Sequence, residues 1–218
     1  MGYFNLPIST QVNKIVPKNA FDSYTTAKQK KLFVDKVGRI TWVNKLSRKT
    51  TNLETKEIQE IQIFEIELKS KSNIKVVLDT IDKSIPYPII FLMRFNSEAY
   101  LSSSTKHPNP LNEDNSVIDW TFKTNWFNPE KKKFCLNLKK NLDYVFKDFC
   151  VQLSGKPDLR KKSLKKIVEY EKQIDTVEKE ILRLKAALSK MKQFNKKVEL
   201  NTELNIKKQE LLSLNDKL

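Results

Sequence analysis

The chain has 218 residues, room for one compact domain with an appendage or for two small domains. Its 41 Lys and Arg against 26 Asp and Glu give a net charge of +15, more than solubility requires, which points to a polyanionic partner. One His and three Gly exclude a glycine-rich phosphate loop, a multi-histidine metal site and a zinc-finger spacing.

Hydrophobic residues make up 39% of the chain and charged residues 31%, against about 45–50% and about 25% in an average domain, so some segment is strongly solvated. The abundance of Lys, Asn and Ile is also what an AT-rich genome produces, which discounts part of the charge argument. Cys135 and Cys150 have no second pair nearby and read as two reduced core residues. The N-terminus MGYFNLPIST has no basic region followed by an apolar stretch, and the longest apolar run, PIIFLMRF, is too short to span a bilayer. A soluble cytoplasmic protein is the expectation, with no membrane partner and no evident small-molecule substrate.

In chain order, TTAKQKKLFVDKV reads as a short helix carrying Leu32, Phe33 and Val37, which Gly38 turns into the strand RITWVNKL. A second strand follows at EIQIFEIELK. The spacing of Val76, Val77, Ile81 and Ile85 predicts a helix that Pro86 and Pro88 stop before the buried strand PIIFLMRF. EAYLSSS reads as its hairpin partner and SVIDWTFKTNWF as a further strand. Leu138, Leu142, Val145, Phe146, Phe149, Cys150 and Leu153 then share one helical stripe. The order β-β-α-β-β with flanking helices predicts an α+β fold, a small mixed sheet occupying residues 1–155.

All eight prolines precede Asp158, and the turn formers at Ser154-Gly155-Lys156-Pro157 mark the boundary of a helical region over 156–218. There, Ile167, Tyr170, Ile174, Val177, Ile181, Leu184, Leu188 and Met191 alternate at intervals of three and four, the seam of a coiled coil. A second series, Leu200, Leu204, Leu211, Leu214 and Leu218, resumes in another register. The shift predicts an antiparallel hairpin turning near FNKKVELN. A continuous helix with a stutter is the alternative, and it would need a second chain to cover its seam.

Three sets of residues carry the functional expectations. Alternation along IFEIELK puts Phe64, Ile66 and Leu68 on one face and Glu65, Glu67 and Lys69 on the other. Glu67-Leu68-Lys69 has the Glu-x-Lys spacing of restriction-endonuclease-like nucleases, in which a carboxylate holds Mg²⁺ and the lysine polarises the attacking water. The second acid that such a site needs is missing from RITWVNKL; Asp35, Glu54, Asp79 and Asp82 stand elsewhere. The second set is basic: Lys131, Lys132 and Lys133, Lys139 and Lys140, and Arg160, Lys161, Lys162, Lys165 and Lys166 flank the boundary. If these meet, they form a surface for the phosphates of DNA or RNA, with Trp120, Phe122, Trp126 and Phe127 close by in sequence. The third set serves partner binding: the seam residues Ile167, Ile174, Ile181 and Leu188, and Asn195, Lys197 and Asn201 at the expected hairpin tip. His107, beside Pro108 and Pro110, reads as a solvated loop residue.

The stretches VPKNAF, ITWVNKLSRKTTNL, EIQIFEIELK, IDKSIPYPIIF and KQFNKKVELN resemble, in this order, the bacterial family of domain of unknown function 4391. That resemblance brings no catalytic residues. It implies a neighbourhood of helicase and DNA methyltransferase partners in restriction or antiphage defence. Two classes therefore stand side by side. The first is a non-enzymatic accessory subunit without a cofactor, using its coiled coil for protein contacts and its basic junction for nucleic acid. The alternative is a Mg²⁺-dependent nuclease on Glu65, Glu67 and Lys69.

Overall fold

A computed structural model describes residues 2–216. The chain divides into two compact units, a head of Met1–Pro157 and an arm of Asp158–Leu218.

The head is built on a six-stranded sheet whose strands lie in sequence order: β1 (Gln11–Ile15), β2 (Val37–Ser47), β3 (Glu60–Leu68), β4 (Ile89–Phe95), β5 (Glu98–Asn109) and β6 (Asn112–Lys123). Every neighbouring pair is antiparallel except β3 and β4. A parallel pair needs a long crossover, and helix α3 (Lys75–Ser84) supplies it. Helix α1 (Ala27–Lys36) precedes β2, the single turn α2 (Arg48–Thr51) follows it, and α4 (Leu142–Ser154) closes the head.

Both faces of the central strands are buried, which explains why EIQIF and PIIFLMRF read as nearly unbroken apolar runs. On one face Ile40, Phe64, Ile66, Phe91 and Met93 share a core with Phe33 of α1 and with Val77, Leu78 and Ile81 of α3. On the other, Ile61, Ile63, Ile90 and Leu92 are buried, and α4 packs over β3, β5 and β6 with Leu142, Val145, Phe146 and Phe149 buried as well. Local signals frame the helices. Thr26 and Gln29 form a capping box on α1, Asn141 accepts from the Tyr144 amide at the start of α4, and Gly155 ends α4 at φ 69.

Several expectations need correction. β1 was not foreseen: QVNKI is an exposed edge strand, and Asn13 at φ 49 sits at its break in register. His107 is not in a loop, because β5 continues through it; the residue pairs with Val117 on β6, and its Nδ1 lies 3.1 Å from Asp119. Leu138 precedes α4 rather than joining its stripe, and Cys135 is exposed, leaving Cys150 as the one buried thiol.

In the arm, Ser163 caps the 27-residue helix α5 (Leu164–Lys190), and α6 (Phe194–Asp216) returns alongside it. Tyr170 donates to Asn215 at 3.1 Å and Lys207 meets Glu180 at 2.8 Å, contacts that fix the two helices as antiparallel. Val177, Ile181, Leu184 and Leu204 form the buried core, flanked by Leu188, Leu200, Leu211 and Leu214. The reversal falls at residues 191–193, ahead of FNKKVELN, which forms the first two turns of α6. No Gly or Pro is required there because Met191 is simply extended, at φ −73 and ψ 129. Leu218 lies outside the described residues.

Candidate functional site

The pairing of β3 with both neighbours determines what Glu65, Glu67 and Lys69 can do. Arg39 on β2 stands opposite Glu67 and forms an ion pair with it. Arg94, in parallel register with Glu67 on β4, brings its Nε to 2.9 Å from the Glu65 carboxylate. Lys69 turns away: its Nζ donates to the Val34 carbonyl at 2.8 Å and its amide to Lys36 at 2.9 Å, so it closes the C-terminal end of α1, where a cation suits the helix dipole. Each carboxylate of the Glu-x-Lys strand is thus already neutralised by a guanidinium, and the lysine is engaged elsewhere.

Two of the four other acids are also committed. Asp79 pairs with Lys75 one turn away, and Asp82 with Lys106. Among the described residues, no group of three or more His, Cys, Asp and Glu converges as a metal would need.

Lys106 carries the most constrained charge in the head, and sequence reasoning missed it. Its side chain is 2% exposed, and the ammonium donates to the Asp82 carboxylate at 2.8 Å and to the Asp82 and Ile85 carbonyls, tying β5 to the end of α3. Burial pushes the Asp82 carboxyl up and the Lys106 ammonium down, while their mutual contact opposes both shifts. The only available signal was alternation along SSSTKH, and a bulge between Thr105 and Lys106 breaks it.

The head lysines fall into two separate places. The Tyr3 hydroxyl donates to the Lys132 carbonyl and accepts from the Phe134 amide, and the Gln152 side chain holds both the amide and the carbonyl of Cys135. Segment 131–135 therefore lies by the C-terminal part of α4. Lys139 and Lys140 lie just before its N-cap, Asn141. Eleven residues of helix separate Asn141 from Gln152, about 16 Å at 1.5 Å per residue. The two head clusters thus lie toward opposite ends of α4. Lys132 and Lys133 lie over the rings of Phe134 and Tyr3, and Lys140 over Tyr144. Of the neighbouring aromatics, Phe122 is core, Trp126 packs edge-on to Tyr100, Phe127 packs on Tyr3 and Phe134, and Trp120 is half-buried.

In the arm, Arg160 and Lys161 end a short 3-10 turn over Pro157–Lys161, Lys162 follows it, and Lys165 and Lys166 open α5. All five are exposed. The seam residues Ile167, Ile174 and Ile181 are buried within the chain, and Leu188 packs on the hairpin core. Asn195, Lys197 and Asn201 are exposed on the first two turns of α6. A neighbouring strip was not foreseen. Phe194, Val198, Thr202, Asn205, Gln209 and Leu212 recur at intervals of four, four, three, four and three, so they share one face of α6. All six are exposed and none is charged. Among the described residues, no helix is long and apolar enough to cross a membrane.

No curated protein and no solved structure matches the chain. A family does: residues 4–211 match the one described as Domain of unknown function (DUF4391), and over that span, nearly the whole sequence, the chain belongs to it.

Proposed function

We propose that this chain is a non-enzymatic accessory subunit of a cytoplasmic DNA-acting assembly, bridging a helicase and a DNA methyltransferase in restriction or antiphage defence. The arm, read as an antiparallel coiled coil, is the docking element, and the lysines of the head and of the start of α5 are its nucleic-acid contacts. The observation that carries this reading is the outer strip of α6. The hairpin covers its own apolar seam, yet Phe194 remains 77% exposed, Val198 51% and Leu212 56%, along an uncharged face of a highly charged chain. An apolar surface left in that position marks an interaction site. The amides of Asn201, Asn205 and Gln209 add hydrogen-bonding groups that can match a partner's backbone or side chains. The nuclease alternative finds less support, because Arg39 and Arg94 would both have to release their carboxylates before Glu65 and Glu67 could hold Mg²⁺.

The experiment is co-purification of the tagged full chain with a helicase and a DNA methyltransferase of its host. Combined Phe194→Ser, Val198→Ser and Leu212→Ser should abolish capture while the helix content stays unchanged. Undiminished capture by this variant, or by one lacking residues 193–202, would remove the arm from the docking role.

A further inference from the structure

The charges of the arm are mixed in composition but sorted by face. Its 16 basic and 10 acidic residues leave a net +6. On α5, Lys165, Lys172, Lys179, Arg183 and Lys190 follow one another at intervals of seven, seven, four and seven. Seven residues are close to two helical turns, so these five cations line up along one side of the helix. All five are exposed.

The acids of α5 leave that line open. Glu171 is buried. Glu180 is turned toward α6, where Lys207 holds its carboxyl below the usual carboxylate range. Asp175 borders the line and reaches Lys179 at 2.7 Å, Glu169 borders its other side, and exposed Glu178 stands about 100° around the helix from Lys179, off the line. Twenty-five residues separate Lys165 from Lys190, about 38 Å of helix, with a cation roughly every 10 Å at the heptad steps. The helix holds the row straight, and the hairpin seam holds the helix.

The geometry points to α5 as a contact for the phosphate backbone of a nucleic-acid duplex, laid along about one turn of double helix. This assignment rests on the reading of the chain as part of a DNA-acting assembly, and it makes the outer face of α5 the nucleic-acid side of the arm, with α6 as its protein side. A duplex matches the row better than a single strand because it is itself stiff over this length, so binding need not first order a flexible chain. Long lysine side chains carry their ammonium groups clear of the helix surface, which suits backbone contact without base reading.

The test is duplex binding by the full chain as a function of salt. With about 0.9 of slope per neutralised phosphate, the five contacts of the row contribute about −4.5 to the slope of log K against log salt, by themselves a loss of roughly 500-fold between 50 and 200 mM. Combined Lys172→Gln, Lys179→Gln and Arg183→Gln should make the slope shallower by about 2.7. The control of equal charge, combined Lys185→Gln, Lys196→Gln and Lys208→Gln, lies off the row and should change it far less. Equal losses in the two variants would overturn the assignment in favour of diffuse attraction. An unchanged slope in the first variant, with partner capture intact, would also overturn it and leave the adaptor reading standing. Failure of the unmodified chain to bind duplex, with capture instead by anionic vesicles or by an acidic helical protein, would overturn it outright.

Discussion

The head gathers its core from strands spread over residues 11–123 and covers both faces of its sheet, whereas the arm gathers its core from one seam between two consecutive helices. The head buries apolar side chains against both faces of its sheet. The arm needs only a single stripe of each helix, which leaves the remaining faces free to carry charge on α5 and uncharged contacts on α6. Exposed side chains of the arm can therefore change at little cost to folding, while the buried positions of the head tolerate few changes.

The largest difference should appear at Lys106. Lys106→Met leaves the Asp82 carboxylate buried without its partner and should cost about 3–5 kcal/mol in urea denaturation, while Lys106→Met with Asp82→Leu recovers much of the loss. A loss below about 1 kcal/mol would mean that the pair does not anchor β5 to α3.

Leu184→Ala opens a cavity in the arm's seam, worth about 2–3 kcal/mol because α6 can partly close over it. The buried Cys150 thiol, its ionisation pushed up by burial, reports whether the head stays closed. In the native chain Cys135 should react with a thiol reagent quickly and Cys150 only on unfolding. In Leu184→Ala, Cys150 should stay protected while arm helicity melts early; its exposure would show that head and arm unfold as one.

The smallest effect concerns acid. The Glu180 carboxyl is held down by Lys207, so the stabilisation from that link is present above the ordinary carboxylate range and is lost as pH falls through the lowered value. Arm helicity, followed by circular dichroism between pH 6 and about pH 3, should loosen earlier in the native chain than the head's near-ultraviolet signal. In Glu180→Gln the acid-dependent part of that change should shrink.

Much of the head was legible because its signals are local. Thr26 and Gln29 cap α1, Pro86 and Pro88 stop α3, and the apolar run of β4 cannot be placed anywhere but a covered strand. The edge strand β1 was hidden because an exposed strand has no buried alternation to display, and β5 was cut short because Pro108 reads as a loop former although it sits near the strand's end. In the arm, the phase shift between two apolar series announced the hairpin, while the reversal itself, made by an extended Met191, left no composition signal. At the candidate site, Glu67-x-Lys69 was visible in the sequence. The guanidinium groups that neutralise Glu65 and Glu67 were not, since they arrive from strands more than 25 residues away in either direction.

The most direct test of a non-enzymatic role is incubation of the purified chain with labelled duplex DNA and Mg²⁺, unmodified against Glu67→Gln, scoring retardation and cleavage together. Salt-sensitive retardation without cleavage is expected from both proteins. Cleavage by the unmodified chain that Glu67→Gln abolishes would contradict the adaptor reading and make β3 an active site.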